Sequence, residues 1–302
     1  MRIVSLLPSA TEILFAIGAG DEIVGVTHEC DYPPGALALP KLTRSSGPEL
    51  ASPGEIERHV RAAMHAGSSL YELDAALLDD LAPDLIVTQE LCPVCAVSYE
   101  IVATAAKRLR FDARVVSLEP NSLADVFETI RFLGDETGQA PRASEVVAQL
   151  KARIHALSDS GPSTARLRRS AQDDTGARTL VLEWTDPPMS AGHWIPELIE
   201  LAGGTPVLAN PRTNSQRLEW PAIAAADPDA IVVAPCGFDL TRTQRAVAEL
   251  AERAEWKDLR AVRERRVLPL DGNAYLSRPG PRLLDAAEII ARWYTSAAEH
   301  AG

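Results

Sequence analysis

The stretch IVSLLPSATEILFAIGAGDEIVGVT, residues 3–27, decides the fold class of this chain. It begins with an apolar run that predicts a strand, and residues 8–12, PSATE, then have the proline and the Ser-x-x-Glu spacing of a helix start. Gly18 and Gly20 end that helix, and a second apolar run at 23–27 predicts the next strand. A strand, a helix and a strand in this order indicate a parallel sheet covered by helices on both faces.

An internal repeat indicates that this α/β design occurs twice. LDAALLDDLAPDLIV at 73–87 aligns without gaps with LEWPAIAAADPDAIV at 218–232, at an offset of 145 residues. Each copy predicts a helix, a Pro-Asp turn and a buried strand. We therefore predict an α/β fold of two lobes with central, mainly parallel sheets, at 1–120 and 177–302, as expected for a chain of 302 residues.

The segment between the lobes, 121–176, predicts two helices, at about 122–134 and about 141–157. The second helix is long enough to bridge the two lobes, and a helical bridge restricts them to modest relative rotation. The remaining stretch, 158–176, is polar and aperiodic, which predicts a mobile surface loop.

The charge balance and the apolar pattern exclude several classes of partner. Forty-two acidic residues against 30 basic ones give a net charge of −12, so the field of the protein repels phosphate backbones and anionic lipid. We expect no nucleic-acid partner. No apolar stretch approaches the roughly 20 residues of a membrane span, so we expect no membrane insertion. Polar residues interrupt any signal-peptide core near the start, which predicts a cytoplasmic protein, or a periplasmic or extracellular one if the true start lies upstream.

Ligands of open parallel sheets bind beyond the carboxyl ends of the strands, where loops and helix starts converge. The residues that follow the predicted strands are therefore the candidate site: His28, Glu29 and Cys30; Gln89, Glu90, Cys92 and Cys95; Glu183, Trp184 and Asp186; and Cys236. All four cysteines fall in this set, so they line one cleft if the lobes face each other. The chain has no nucleophile elbow, Walker loop, dinucleotide fingerprint or zincin motif, which favours a binding protein over an enzyme.

Three interpretations of the cysteines stay open at this point. They pack as small apolar residues, or Cys92, Cys95 and Cys236 hold a metal or cluster with Cys30 or His28, or Cys92 and Cys95 form a redox dithiol. His28 is either a structural histidine or a ligand. Trp184 and Trp194 are core residues or stacking platforms for a flat ligand, and Arg278 either solvates a helix start or meets an anionic group.

The motifs also resemble a known family, the class III substrate-binding proteins for cobalamin and iron complexes, and more closely their cobalamin-binding subgroup. The resemblance is carried by SLLPSATEILFAIGAGDEIVGVTHECDYPP at 5–34, LPKLTRS at 39–45, PDLIV at 83–87, LCPVCAVS at 91–98, EWTDPP at 183–188, ELIELAGG at 197–204, PDAIVVAPCGF at 228–238 and RPGPR at 278–282. These blocks run over nearly the whole chain.

The resemblance implies two lobes bridged by a long helix, with cobalamin or a related corrinoid or metal chelate bound without catalysis in the cleft between them. The ligand-facing residues that it implies are His28, Glu29, Cys30, Arg44, Glu90, Trp184, Tyr275 and Arg278, with Cys92, Cys95 and Cys236 beside them. The alternative is a cytoplasmic protein that binds a metal or cluster through thiolates of the cleft cysteines.

Two departures from the family pattern bear on the partner. Members that deliver to an ABC permease carry a docking glutamate on each lobe, seven residues before Pro-Asp, where this chain has Ala76 and Pro221. Asp74 and Glu219 lie two residues earlier. A secretion signal and a lipid-anchor cysteine are also missing from the sequence. We therefore expect a small-molecule metal chelate as the partner, and no permease.

Overall fold

A computed structural model describes residues 1–47, 52–65, 70–89, 99–107, 110, 112–160 and 176–299 of the chain. It divides into two compact units. Unit 1 comprises Met1–Ala51, Glu55–Pro120 and Ala124–Ala148, and unit 2 comprises Ser52–Gly54, Asn121–Leu123 and Gln149–Gly302. In the described part of the chain, no helix is both long and apolar enough to cross a bilayer.

Unit 1 is built around a four-stranded parallel sheet. Its elements, in chain order, are β1 (Ile3–Ser5), α1 (Pro8–Ala16), β2 (Ile23–Val26), β3 (Thr43–Ser45), α2 (Pro53–His65), β4 (Tyr71–Leu73), α3 (Ala75–Leu81), β5 (Leu85–Thr88), α4 (Tyr99–Ala106), β6 (Arg114–Ser117), α5 (Leu123–Glu136) and α6 (Ala140–Ser160). The strand order is β2-β1-β5-β6, and β3 pairs with β4 in a separate antiparallel ribbon. The change from unit 1 to unit 2 falls within α6, after Ala148.

Unit 2 has a parallel sheet of the same kind with one added antiparallel strand. Its elements are β7 (Ala177–Thr185), β8 (Pro188–Ser190), β9 (Gly192–His193), α7 (Ile195–Leu201), β10 (Gly204–Pro206), β11 (Asn210–Pro211), α8 (Trp220–Ala226), β12 (Ala230–Val233), α9 (Leu240–Leu250), α10 (Ala254–Lys257), α11 (Arg260–Arg263), β13 (Val267–Pro269), α12 (Gly272–Tyr275) and α13 (Leu283–Glu299). The strand order is β10-β7-β12-β13, β8 turns back against β7, and β9 pairs with β11.

The two copies of the sequence repeat adopt the same local structure. Each runs from a short helix, α3 or α8, through Pro-Asp into a buried central strand, β5 or β12. The carboxylate of Asp84 accepts the backbone N–H of Arg2 at 2.7 Å, and that of Asp229 accepts the N–H of Arg178 at 3.0 Å. Each aspartate also donates its own N–H to the carbonyl of the same arginine. The Pro-Asp turn therefore clamps the first strand of each sheet.

The α/β fold class predicted from the sequence is confirmed, with corrections to two helices. The Ser-x-x-Glu signal at 9–12 does not cap α1, because the helix already begins at Pro8, whose fixed φ suits the first helical position, and Leu7 is the cap residue. The predicted helix at 141–157 extends over Ala140–Ser160. Most of the predicted loop at 158–176 lies outside the described residues.

Candidate functional site

The predicted site residues follow strands whose carboxyl ends lie at one edge of each sheet. In unit 1, β1 pairs in parallel with β2 and β5, and His28 and Gln89 come shortly after these two strands. In unit 2, β12 pairs in parallel with β7 and β13, so Trp184, Cys236 and the segment after β13 leave the same edge. Each unit thus presents its own set of candidate residues.

His28 is half-buried and held by hydroxyl groups. Its Nδ1 lies 2.7 Å from Oγ1 of Thr43, which also accepts the backbone N–H of His28 and lies 2.7 Å from Oγ1 of Thr27. The ring packs 5.6 Å from that of Tyr71. Burial, and then the charge of Lys41, lower the pKa of His28, so the ring is neutral at pH 7. Because a hydroxyl both donates and accepts, these contacts leave the tautomer of His28 open.

Glu29 and Arg44, the second of which lies in β3, both contact residues of β4. The hydroxyl of Tyr71 donates to Oε1 of Glu29 at 3.4 Å. Arg44 is exposed and forms an ion pair with Glu72 across the ribbon. An anionic ligand group at Arg44 would therefore compete with Glu72.

The cysteines show no shared site in the described part of the chain. Cys30 is 1% exposed, and its Sγ lies 3.0 Å from Oγ1 of Thr11, so this thiol packs in the core of unit 1. Cys236 belongs to unit 2, is half-buried and donates its N–H to the carbonyl of Glu183 at 3.1 Å. The predicted site residues Glu90, Cys92 and Cys95 lie outside the described residues.

Among the residues that the structure describes, no three His, Cys, Asp or Glu side chains gather in a way that could hold a metal ion. The thiolate metal or cluster hypothesis therefore has no support in this part of the chain.

Trp184 offers a fixed aromatic surface at the end of β7. The ring is half-buried, and its indole N–H donates to the carbonyl of Asp186 at 3.1 Å. Its edge packs on Phe238, with ring centroids 5.3 Å apart at 67°. Phe238 is buried, and the guanidinium of Arg242 lies 3.9 Å from its centroid. Since the polar atom of the indole is already hydrogen-bonded, the remaining accessible part of the ring is apolar.

Trp194, by contrast, is a core residue. It is 5% exposed, and its indole N–H donates to the carbonyl of Leu276 at 3.0 Å. That bond ties the start of α7 to the end of α12, next to the predicted site residues Tyr275 and Arg278. Tyr275 is half-buried, whereas Arg278 is buried and donates to Oδ1 of Asn273 at 2.9 Å.

The structure adds one candidate residue that the sequence did not single out, His193, and it shows the contacts of Glu183, which the sequence already predicts for the site. Oε2 of Glu183 accepts the N–H of Gly192 at 2.6 Å and the hydroxyl of Ser215 at 2.5 Å. Burial raises the pKa of Glu183 to about 7, against the effect of these two hydrogen bonds. Nδ1 of His193 lies 3.1 Å from Oδ1 of Asn121, and burial lowers the pKa of this histidine.

The available signal for His193 was the run AGHW at 191–194 in a loop rich in glycine and proline. This run does not show where His193 lies until β8 is known to return along β7 and bring Gly192 to Glu183.

The helices α3 and α8 carry the positions where a docking glutamate was expected. Ala76 and Pro221 both lie in the first turn of their helices. Asp74 is the cap residue of α3, and its carboxylate accepts the N–H of Leu77 at 2.9 Å. Glu219 is the matching cap residue of α8, but its side chain makes no capping hydrogen bond and is 75% exposed.

Comparison with known proteins gives a consistent family assignment. A family model described as periplasmic binding protein matches residues 3–274. The chain is 25% identical over 297 residues to the uncharacterized ABC transporter substrate-binding lipoprotein YvrC of Bacillus subtilis, covering 96% of this chain and 78% of the relative. It is 24% identical over 293 residues to the vitamin B12-binding protein of Vibrio cholerae, covering 97% and 88%.

A solved structure shows the same fold. The periplasmic heme-binding protein RhuT from Roseiflexus sp. RS-1, in its apo form, superposes with a TM-score of 0.69 over 98% of each chain, at 24% identity. The resemblance to class III substrate-binding proteins is confirmed, and so is the prediction of a solute-binding protein rather than an enzyme, because this family binds solutes and does not catalyse reactions.

Proposed function

Because the chain belongs to the periplasmic binding protein family, we propose that it binds cobalamin or a related corrinoid, a flat metal chelate. The observation that carries the proposal is Trp184, whose half-buried ring has its N–H bonded to Asp186 and its edge fixed on Phe238. A planar macrocycle is the ligand class that gains most from such a surface. Aromatic stacking of this kind contributes about 0.5–1.5 kcal/mol beyond the apolar area that it buries.

The vitamin B12-binding relative supports the corrinoid, and the heme-binding structural neighbour supports the wider class of metal chelates. Unit 1 carries a half-buried aromatic pair of its own, His28 and Tyr71.

Titration of the purified protein with cyanocobalamin, cobinamide and hemin tests the proposal, with corrin or haem absorbance and tryptophan fluorescence followed together. We expect saturable corrinoid binding. Trp184→Ala should weaken it about tenfold, or about 1.4 kcal/mol, and Trp184→Phe should weaken it less. Trp293→Phe is the matched control, since this half-buried tryptophan lies on α13, outside the proposed site.

Saturable binding of hemin without any corrinoid binding would overturn the corrinoid assignment. If Trp184→Ala left the affinity unchanged, Trp184 would not be the surface on which the ligand stacks. The absence of saturable binding of all three chelates would overturn the proposed function itself.

Two sequence predictions about the cellular setting stay predictions. A role without a permease rests on Ala76 and Pro221, while the relative described as an ABC transporter substrate-binding lipoprotein supports delivery to an ABC permease. Uptake of labelled cobalamin by native host cells with and without the gene distinguishes delivery to a permease from a role without one. Fractionation of the same cells tests the cytoplasmic location.

A further inference from the structure

Glu183 is the extra residue of a β-bulge in the strand that carries Trp184. Leu182 of β7 pairs with Ser190 of β8. The next pair along the ladder is Trp184 with Met189, so Glu183 is inserted between the two pairs. A bulge changes the direction in which a side chain points, and bulges are frequent next to functional sites. The bulge therefore places a titratable side chain directly beside the proposed stacking ring.

The carboxyl of Glu183 joins the two segments that lie on either side of the β8 backbone. Its Oε2 accepts the N–H of Gly192, just beyond β8, at 2.6 Å and the hydroxyl of Ser215 at 2.5 Å. The segment of Ser215 continues along β8, where the N–H of Ser190 donates to the carbonyl of Gln216 at 2.8 Å. One carboxyl thus holds β8 to its neighbouring segment, and β8 is the strand that pairs with the tryptophan.

No neighbouring charge neutralises the carboxylate of Glu183. The titratable groups on the elements packed around it are the acids Asp186 and Asp239, the bases Arg212, Arg217 and Arg242, and His193 and Cys236. Burial of the carboxyl, opposed by the hydrogen bonds from Ser215 and Gly192, accounts for its pKa of about 7. None of the seven groups contributes a charge to that value.

Ionisation of Glu183 therefore works against the structure that surrounds Trp184. A buried carboxylate without a counter-charge is more stable in water than in place. The strands β8 and β9 have only three and two residues, so their local opening costs little free energy compared with unfolding of the central sheet. Opening them hydrates the carboxylate and removes the strand against which Trp184 is paired.

We propose that Glu183 is a positioning residue for Trp184: its protonated carboxyl keeps the ring in the binding orientation, and its ionisation weakens binding of the flat chelate. The inference rests on the proposed function, because it concerns the regulation of the same site. In the step, the O–H bond of the carboxyl breaks and the proton goes to solvent. No group is oxidised or reduced.

Titration of the protein with cyanocobalamin between pH 6 and pH 8.5 tests the inference, because this corrinoid has no group that titrates in that range. Burial lowers the pKa of His193, so this histidine is neutral throughout the range as well. We expect the affinity of the wild type to fall about tenfold from pH 6 to pH 8.5, a range that spans the pKa of Glu183.

Glu183→Gln keeps an acceptor for Gly192 but cannot ionise, so its affinity should not change with pH. Glu200→Gln is the matched control, since Glu200 is an exposed carboxyl on α7 in the same unit, and it should retain the fall of the wild type.

Ser215→Ala separates a titrating carboxyl from a merely structural contact. The hydroxyl of Ser215 donates to the carboxylate and lowers the pKa of Glu183, so its removal should move the midpoint of the affinity loss to higher pH. A purely structural role would weaken binding equally at every pH and leave the midpoint in place.

A wild-type affinity that stays constant from pH 6 to pH 8.5 would overturn the inference and leave the proposed function standing. A fall that persists in Glu183→Gln would assign the titration to another group and overturn it as well. If cyanocobalamin binds at no pH, the proposed function fails and the inference fails with it.

Discussion

Unit 1 and unit 2 have the same Pro-Asp clamp, but the aspartate of the clamp has different side-chain partners in the two units. In unit 1, Asp84 is exposed and bonds the backbone of Arg2. In unit 2, Asp229 makes the same backbone bond, and it also accepts from Arg260 at 2.6 Å; the side chain of Arg260 is only 15% exposed. The repeat therefore sets the backbone path of the clamp. The additional charge of Arg260 in unit 2 sets how much the clamp contributes to the free energy of unfolding.

The two units also differ in how they hold a histidine at the sheet edge. His28 faces the hydroxyl of Thr43, which leaves its tautomer open, and His193 faces the amide oxygen of Asn121, which fixes it. Both rings are half-buried and neutral. Among the described residues, the fixed aromatic surface of Trp184 belongs to unit 2, so we expect unit 2 to determine the ligand class.

The largest effect that we expect is the loss of the clamp in unit 2. Asp229→Ala removes the backbone clamp on Arg178 and one of the two carboxylates that hold the mostly buried Arg260, the other being Asp227. It should lower the free energy of unfolding by about 3–4 kcal/mol, whereas Asp84→Ala should cost about 1 kcal/mol. All five tryptophans, at 184, 194, 220, 256 and 293, belong to unit 2, so tryptophan emission during urea unfolding reports on that unit. Far-ultraviolet circular dichroism reports on both units.

Equal shifts of the fluorescence transition in Asp84→Ala and Asp229→Ala would contradict this difference between the clamps. They would mean that the two units unfold as one cooperative body and that the added charge of Arg260 contributes nothing measurable.

Glu183 should make unit 2 lose stability as the pH rises through neutrality. Its pKa is raised from 4.5 to about 7, so its contribution to stability is fully present below pH 4.5 and is lost as the pH rises through 7. We expect the free energy of unfolding of the wild type to fall by about 2–3 kcal/mol relative to Glu183→Gln over this window. Glutamine keeps an acceptor for the N–H of Gly192 but does not titrate.

The measurement is tryptophan-detected urea unfolding at several pH values between 4 and 8.5, with Glu197→Gln as the control for a carboxyl elsewhere in unit 2. Parallel pH profiles of the wild type and Glu183→Gln would show that this carboxyl does not titrate near neutrality.

The next effect concerns stability and compares the partners of the two histidines. Asn121→Leu removes the acceptor of Nδ1 of the half-buried His193 and should lower the free energy of unfolding by about 1 kcal/mol. Thr43→Val removes a buried hydroxyl that contacts both His28 and Thr27 and should lower it by about 1–2 kcal/mol. Circular dichroism in urea measures both variants. A larger loss in Asn121→Leu than in Thr43→Val would show that the amide of Asn121 holds its histidine more strongly than the hydroxyl of Thr43 does.

The sequence predicts the repeated part of this architecture well, because a Pro-Asp turn between a helix and a strand depends on nearby residues. It also places His28 and Trp184 correctly at strand ends. It does not single out His193, since the contact of this residue with Asn121 joins positions 72 residues apart that only the folded unit brings together. It leaves open whether Cys30 packs in the core, as the contact with Thr11 shows, because the strand-end rule locates a residue but not the direction of its side chain.

The smallest effect that we expect is at Arg44. Its ion pair with Glu72 in unit 1 is compared with the ion pairs of Arg260 in unit 2. The side chain of Arg44 is 79% exposed and that of Glu72 is 52% exposed, so water screens their ion pair. Arg44→Gln should therefore change the free energy of unfolding by less than about 0.5 kcal/mol, as measured by circular dichroism in urea. Arg260→Gln, where the side chain is mostly buried against Asp227 and Asp229, should cost several times more. If Arg44→Gln weakened corrinoid binding without changing the free energy of unfolding, Arg44 would contact the ligand in addition to pairing with Glu72 of β4. A stability loss equal to that of Arg260→Gln would instead show that burial does not set the strength of these pairs.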